Sequence, residues 1–325
     1  MNENISNNMD DIIMHIDDGH DGKYYVIYHN RCSDGFMAAW IAREYYTWCG
    51  VDAEYIPTNP GVTPHIPELK NSNIIMFDVV IPEEDLLEWK KQCNSLFVFD
   101  HHESAYKKLE HLKFVHFNLE KCGTSLSWAF FTGGYESNEP WYVKYTEERD
   151  TGKLYREPEN CLPNSAEINA YLINIPLDFE SYDKFLKNVS KEKAIEAGQY
   201  ILNAQKAQLE WILKGKGRIT ISFPISIWED VPIINSCILQ SELGNMLAQE
   251  ATDELGEDYF AIVWYMRYDE KYGPVAQVSL RSIGTMNVAR LAESIIQPTG
   301  QSGGGHPRAS GFFVPMRTWQ RMIGV

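Results

Sequence analysis

Asp100, His101 and His102 close the apolar run Leu96-Phe97-Val98-Phe99, so a carboxylate and two imidazoles arrive together at the end of what reads as a buried strand. Mixed oxygen and nitrogen donors of this kind suit Mn²⁺, Fe²⁺, Zn²⁺ or Mg²⁺, and open α/β sheets bind ligands outside the carboxyl ends of their strands. The pattern recurs. The run Tyr24 to Tyr28 ends in His29-Asn30-Arg31-Cys32-Ser33-Asp34-Gly35 and passes into a small-residue helix through Met37-Ala38-Ala39-Trp40. Ile74-Ile75-Met76-Phe77 is followed by Asp78, and the acid-rich Glu147-Glu148-Arg149-Asp150 follows a helix-like segment, Trp141 to Thr146. A lone Asp after a strand is usually a cap or turn residue. Four such segments able to converge on one face point instead to a metal centre.

The elements expected to position these groups alternate. Strands are expected at 24–28, 53–57, 73–77 and 96–99, with helices at 35–47, 83–92 and near 104–110, which is the order of a parallel sheet with helical crossovers. Cys122-Gly123-Thr124-Ser125 opens an aromatic helix through Trp128 and Phe131, with Thr124 or Ser125 as its expected N-cap. Helices follow near 139–149 and 165–173. From Ser190 to Leu213 the apolar residues fall at helical spacing, which predicts a linker helix. Beyond it, 218–223 and 225–228 read as a strand pair and 232–235 as a further strand. Ser241 to Glu250 reads as a helix, Tyr259 to Tyr268 and Pro274 to Ser282 as antiparallel strands, and Val288 to Ile296 as a helix. The fold class is therefore α/β, with a parallel-sheet N-terminal domain joined by a linker helix to a smaller mixed α/β C-terminal domain.

These motifs together resemble those of the DHH superfamily of phosphoesterases, which includes RecJ-type exonucleases, nano-RNases and cyclic-dinucleotide phosphodiesterases. His29 to Ala39 is similar to the family's first motif, Asp78 to the second, Asp100-His101-His102 to the third and Asp150 to the fourth. Gly303-Gly304-Gly305-His306-Pro307-Arg308-Ala309-Ser310-Gly311-Phe312 resembles the glycine-histidine signature of the DHH-associated C-terminal domain. The departures lie in the first motif. Where many members place a His four residues before the Asp, this chain has Asn30, with His29 one residue further back. RecJ-like members carry an Asp where Cys32 stands, and nano-RNase-like members one where Phe36 stands.

The resemblance implies hydrolysis of a phosphoester by a metal-activated water, with Mn²⁺ or Mg²⁺ as cofactor, one or two per chain. Asp34, Asp78, His101 and Asp150 would hold the metal, with Asp78 bridging and His29 as a further candidate. His102 would orient Asp78 or donate a proton to the leaving oxygen, and Asp100 would orient a His. Gly303, Gly304, Gly305 and His306 would contact substrate, the glycines by presenting backbone N–H groups to a phosphate. Arg281 and Arg308 are candidates to clamp a terminal phosphate through a bidentate fork. Cys32 reads either as a soft ligand or, more simply, as a packed thiol. The expected domains are a mobile tail at 1–22, a DHH domain at 23–188, the linker helix at 189–214 and a substrate-binding domain at 215–325.

Composition narrows the partners. The 325 residues, 44% of them hydrophobic, fit a two-domain globular chain. Twenty-nine basic against 45 acidic residues give a formal charge of −16, which speaks against tight binding of long nucleic acid. A short oligonucleotide or a dinucleotide fits better. Six scattered cysteines without CxxC spacing predict free thiols. A cytoplasmic protein with no membrane insertion is expected, possible as a homodimer. Two alternatives stand beside the phosphodiesterase: a catalytically impaired nucleotide- or protein-binding scaffold, and a pyrophosphatase or polyphosphatase, which the Gly303 to Gly311 signature disfavours.

Overall fold

The computed structural model describes residues 22–134, 139–256, 258–299 and 303–324. The tail expected at 1–22 lies, but for Gly22, outside the described residues. The chain divides into two compact units, Met1–Leu202 and Asn203–Val325.

The first unit is built on β1 (Tyr24–His29), α1 (Ser33–Cys49), β2 (Ala53–Thr58), β3 (Asn73–Phe77), α2 (Glu83–Gln92), β4 (Ser95–Asp100), α3 (Glu103–Leu109) and β5 (Val115–Phe117). Its five strands are all parallel, in the order β2-β1-β3-β4-β5. Alternate residues of each strand feed two cores. Val26, Tyr28, Ile75, Phe77 and Phe99 pack on one face, and Tyr25, Ile27, Ile74, Met76, Leu96 and Val98 on the other. Burial on both faces explains why these strands read as unbroken apolar runs rather than alternating ones. In α1 the small residues Ala38, Ala39 and Ala42 are fully buried, and the helix ends at Gly50 in the left-handed region (φ 71°), the usual stop signal. Helix α2 carries Glu83, Glu84 and Asp85 in its first turn and Lys90 and Lys91 in its last, complementing the helix dipole.

Five further α-helices precede Asp183 among the described residues: α4 (Gly123–Thr132), α5 (Trp141–Asp150), α6 (Lys153–Arg156), α7 (Ser165–Leu172) and α8 (Phe179–Tyr182). Helices α4 and α5 supply Phe130, Phe131, Val143 and Tyr145 to the same core as α1. Glu148, buried near the end of α5, accepts hydrogen bonds from Leu162 N–H (2.8 Å) and Ser165 Oγ (2.6 Å), which ties the start of α7 to the turn that delivers Asp150. Glu148→Ala leaves that N–H and hydroxyl without their acceptor, and is expected to lower stability by about 2 kcal/mol. Chemical denaturation checks this; a loss near zero would mean that solvent replaces the carboxylate.

The long helix α9 (Lys191–Leu213) is the one expected from the apolar spacing, and the divide between the units falls inside it. The second unit contains β6 (Gly217–Phe223), β7 (Ser226–Asn235), α10 (Gln240–Leu255), β8 (Ala261–Asp269), β9 (Gly273–Arg281), α11 (Val288–Thr299), β10 (Gly303–His306), β11 (Ala309–Pro315) and α12 (Met316–Met322). The sheet order is β10-β11-β9-β8-β7-β6, antiparallel except for the parallel β7–β8 pair. Among the described residues no helix is long and apolar enough to cross a membrane.

Two expectations are corrected here. The strands expected at 225–228 and 232–235 are one strand, β7. The polar Glu229-Asp230 pair between them is a bulge, marked by a register shift opposite Ile219 to Ile221 and a positive φ (57°) at Asp230. The triple glycine, expected as a loop, forms edge strand β10. A Cβ on Gly305 would stand 2.4 Å from Ala309 O, so only glycine lets β10 lie this close to β11.

Candidate metal centre

Four elements of the first unit bring acids and imidazoles to the carboxyl edge of the parallel sheet. His29 is the last residue of β1, Asp78 directly follows β3, Asp100 ends β4 with His101 and His102 after it, and Asp150 ends α5. Strands β1 and β3 are neighbours whose connections leave in opposite directions across the sheet, which is where open α/β sheets form their clefts.

Asp34 reaches the cluster from the first turn of α1, and its carboxylate has a second task. It accepts hydrogen bonds from Gly123 N–H (2.6 Å) and Thr124 N–H (2.8 Å), the first amides of α4. Thr124 Oγ1 donates in turn to the Asp34 carbonyl (3.1 Å). The expectation of a Thr124 or Ser125 N-cap is thus corrected: the cap position is Cys122, which makes no side-chain cap bond, and the orphan amides are satisfied from another helix. Such a long-range cap leaves no local sequence signal.

Two glycines make the convergence possible. A Cβ on Gly123 would lie 2.6 Å from Asp78 Cβ and 2.8 Å from Asp34 Oδ2. One on Gly35 would lie 2.7 Å from His29 Cβ and 3.0 Å from Asp78 Oδ2. Asp78 itself takes the left-handed region (φ 61°), which turns its carboxylate into the cluster.

Distances within the cluster match shared coordination. Donors bound to one ion at about 2.1 Å stand about 3.0 Å apart at a right angle and about 3.4 Å apart at the tetrahedral angle. His101 Nε2 lies 3.1 Å from Asp78 Oδ1, 3.3 Å from Asp150 Oδ2 and 3.8 Å from Asp34 Oδ2. The ligand atoms of Asp34, His101 and Asp150 all fall within 4.8 Å of one another, as do those of His29, Cys32 and Asp78 and those of Asp78, Asp100, His101 and His102. Asp150 Oδ2 is buried and makes no hydrogen bond. A buried carboxylate oxygen without a donor is costly, and a cation supplies what is missing. The residues present therefore fit a divalent ion.

Asp100 is placed differently. Its Oδ1 accepts from the backbone N–H groups of His101 (2.7 Å) and His102 (3.3 Å) and from His102 Nδ1 (2.7 Å). It therefore fixes the turn and the His102 ring, a positioning role.

The electrostatics are those of crowded charge. Burial acts to raise the Asp78 pKa, but hydrogen bonds from His101 and His29 hold it well below the ordinary carboxylate range. Burial and then the charge of Asp78 raise Asp34, while burial and then the charge of Asp34 push Asp150 up to about 7. Burial acts to lower both imidazoles, yet Asp150 and Asp78 hold His101 well above its usual range, and Asp100 lifts His102 to about 9. Without a cation the cluster thus retains protons that an incoming ion must displace. Below the raised pKa Asp150 is protonated and competes; above it the carboxylate is free. Mn²⁺ affinity is therefore expected to rise as pH increases through about 7, with proton release on binding. Calorimetry in buffers of different ionisation enthalpy checks this, and a pH-independent affinity without proton release would contradict it.

The candidate substrate residues lie in the second unit. The register sets His306 opposite Ala309 and Ala309 opposite Arg281, so both polar side chains sit at one end of three adjacent strands. Arg281 is half-buried at the end of an interior strand, with Nη1 donating to Ser279 Oγ and Leu280 O, both at 2.9 Å. Arg308 is exposed in the β10–β11 turn. Sequence reasoning missed Gly123, Gly35 and Glu148, each of which acts through a contact distant in the chain.

A sequence model of the DHHA1 domain matches residues 236–321. An uncharacterised protein, R106, of Acanthamoeba polyphaga mimivirus is 30% identical over 303 residues, 88% of this chain and 66% of that protein. The chain thus spans about two thirds of that relative's length. Among solved structures, the DHH domain of a member of the s1p family of ribosomal proteins superposes with a TM-score of 0.57 at 13% identity, covering 97% of this chain and 87% of that one. RecJ from Thermus thermophilus, solved in complex with Mn²⁺, gives 0.51 at 13% identity over 97% and 53%. CDC45 from Entamoeba histolytica gives 0.50 at 8% identity over 98% and 97%. At these identities the structural likeness is one of fold. Residues 236–321 thus carry a DHHA1 domain, and the chain has the fold of DHH-domain proteins, with a parallel-sheet N-terminal part and a mixed-sheet C-terminal part.

Proposed function

We propose that the chain is a divalent-metal-dependent phosphoesterase that hydrolyses phosphodiester bonds in short oligonucleotides or in linear or cyclic dinucleotides. The observation that carries the reading is the buried Asp150 Oδ2, without a hydrogen-bond donor and 3.3 Å from His101 Nε2 in a cluster with Asp34 and Asp78. Asp34, Asp78, His101 and Asp150 would hold the ion, with His29 contributing beside Asp78. A divalent cation there, Mn²⁺ or Mg²⁺ by family analogy, lowers the pKa of water and offsets charge developing on a phosphoryl oxygen.

The chain's own groups supply the rest. Asp100 fixes His102 through its Nδ1 and acts to raise the imidazole's pKa, which would favour a ring able to give a proton to a leaving oxygen. In the second unit Gly303 to Gly305, His306, Arg281 and Arg308 would bind the substrate's phosphate or base. Short substrates are favoured because a chain of formal charge −16 repels a long polyanion.

A scaffold without catalysis is the second reading. A likeness of fold at these identities does not separate the two. The test is Mn²⁺-dependent hydrolysis of a panel of pApA, a labelled five-nucleotide RNA, single-stranded DNA, cyclic dinucleotides and pyrophosphate. Asp100→Ala/His101→Ala serves as control. Turnover of a dinucleotide or short RNA that vanishes in the control is the expected result. No turnover together with less than one bound metal per chain would favour the scaffold.

A further inference from the structure

We propose that Cys32 is a metal ligand, its Sγ joining His29 and Asp78 in a donor set that suits a thiophilic divalent ion such as Zn²⁺, Fe²⁺ or Co²⁺. The inference rests on reading the cluster as a metal centre and adds which kind of ion one part of it selects.

Three observations support it. First, the ligand atoms of His29, Cys32 and Asp78 all lie within 4.8 Å of one another, and His29 Nδ1 stands 3.2 Å from Asp78 Oδ2, the spacing of neighbouring donors on one ion. Second, the two oxygens of Asp78 face different partners. Oδ1 lies 3.1 Å from His101, which leads to Asp34 and Asp150, whereas Oδ2 turns to His29 and hence to the set containing Cys32. The carboxylate thus stands between two donor sets, one of oxygen and imidazole, the other including sulfur. Third, Cys32 stands two residues before Asp34 at the start of α1, so the turn that brings the Asp34 carboxylate to the cluster brings the sulfur with it. At the N-cap position of α1 it makes no side-chain cap hydrogen bond, and the missing Cβ of Gly35 leaves room beside His29 and Asp78.

The chemistry follows from softness. Oxygen and imidazole donors suit Mn²⁺ and Mg²⁺, while one thiolate moves preference towards Zn²⁺, Fe²⁺ and Co²⁺. Binding exchanges the thiol proton for the ion, with no change of oxidation state. Three protein ligands leave a coordination position for water or substrate.

The test uses the full chain, stripped of metal and titrated with Co²⁺. A sulfur-to-cobalt charge-transfer band is expected in the near ultraviolet, together with protection of Cys32 from iodoacetamide, read by peptide mass spectrometry. Cys32→Ser should lose the band and bind Co²⁺ more weakly by at least the roughly tenfold that removal of an outer-sphere partner costs. Cys32→Asp should bind without the band and shift preference from Co²⁺ towards Mn²⁺. Protection in the wild-type chain needs no substitution, so misfolding of a variant leaves the proposal testable. Co²⁺ binding without the band or without protection, or a band that persists in Cys32→Ser, would overturn the role of Cys32 and leave the metal centre standing. Failure of the wild-type chain to bind Co²⁺, Zn²⁺ or Mn²⁺ would overturn both.

Discussion

Asp78→Asn is expected to abolish tight Mn²⁺ binding and to lower hydrolysis by about 10³-fold or more, the equivalent of the several kcal/mol that a cation contributes to a phosphoryl transition state. Asp78 touches His101 through one oxygen and His29 through the other, so neutralising it weakens both donor sets at once. Asparagine is the informative replacement because residue 78 sits at φ 61°, a conformation that Asn tolerates and that costs Ala roughly 1 kcal/mol. The fold should therefore survive, as near-native circular dichroism would show. Metal content by mass spectrometry and turnover on the best substrate of the panel are the readouts. Retention of one tightly bound Mn²⁺ with unchanged turnover would remove Asp78 from the centre.

Gly123→Ala should have the second-largest effect. The added Cβ would meet Asp78 Cβ at 2.6 Å and Asp34 Oδ2 at 2.8 Å, distances that force α4 or the two carboxylates to move. Overpacking of this kind costs about 1–3 kcal/mol. A displacement of about 1 Å at positioned groups can cost 10²-fold in rate. A lower melting temperature and Mn²⁺ affinity weakened by at least tenfold are expected together. Loss of stability with full metal affinity would show that α4 yields without disturbing the centre.

The parallel sheet was legible because strands buried on both faces are runs of Val, Ile, Phe and Tyr, and because the helices α1, α2 and α3 that follow β1, β3 and β4 announce themselves by spacing and charge. Strand 73–77 and helix 83–92 were read to the residue. The acids at the strand ends were legible for the same reason: an abrupt polar group after an apolar run marks where the chain leaves the core. What sequence could not supply were contacts between residues remote in the chain. The capping of α4 by Asp34 spans about ninety positions. Edge strand β10 contains three glycines, which carry no β signal of their own and are held by pairing with β11. The bulge in β7 likewise separated what read as two strands, and the positive φ of Asp230 that marks it is not written in the sequence.

Asp34 and Asp150 stand in the same cluster under different obligations. Asp34 would be retained whether or not chemistry occurs, because two helix amides depend on it. Asp150 Oδ2 is buried without a hydrogen bond and faces only the charge of His101 at 3.3 Å, so the fold depends on it less than on Asp34 unless an ion is there. In a descendant that had lost catalysis, drift should reach the position of Asp150 long before that of Asp34. Of the two, the occupant of the former is the one that tells a working centre from a relic.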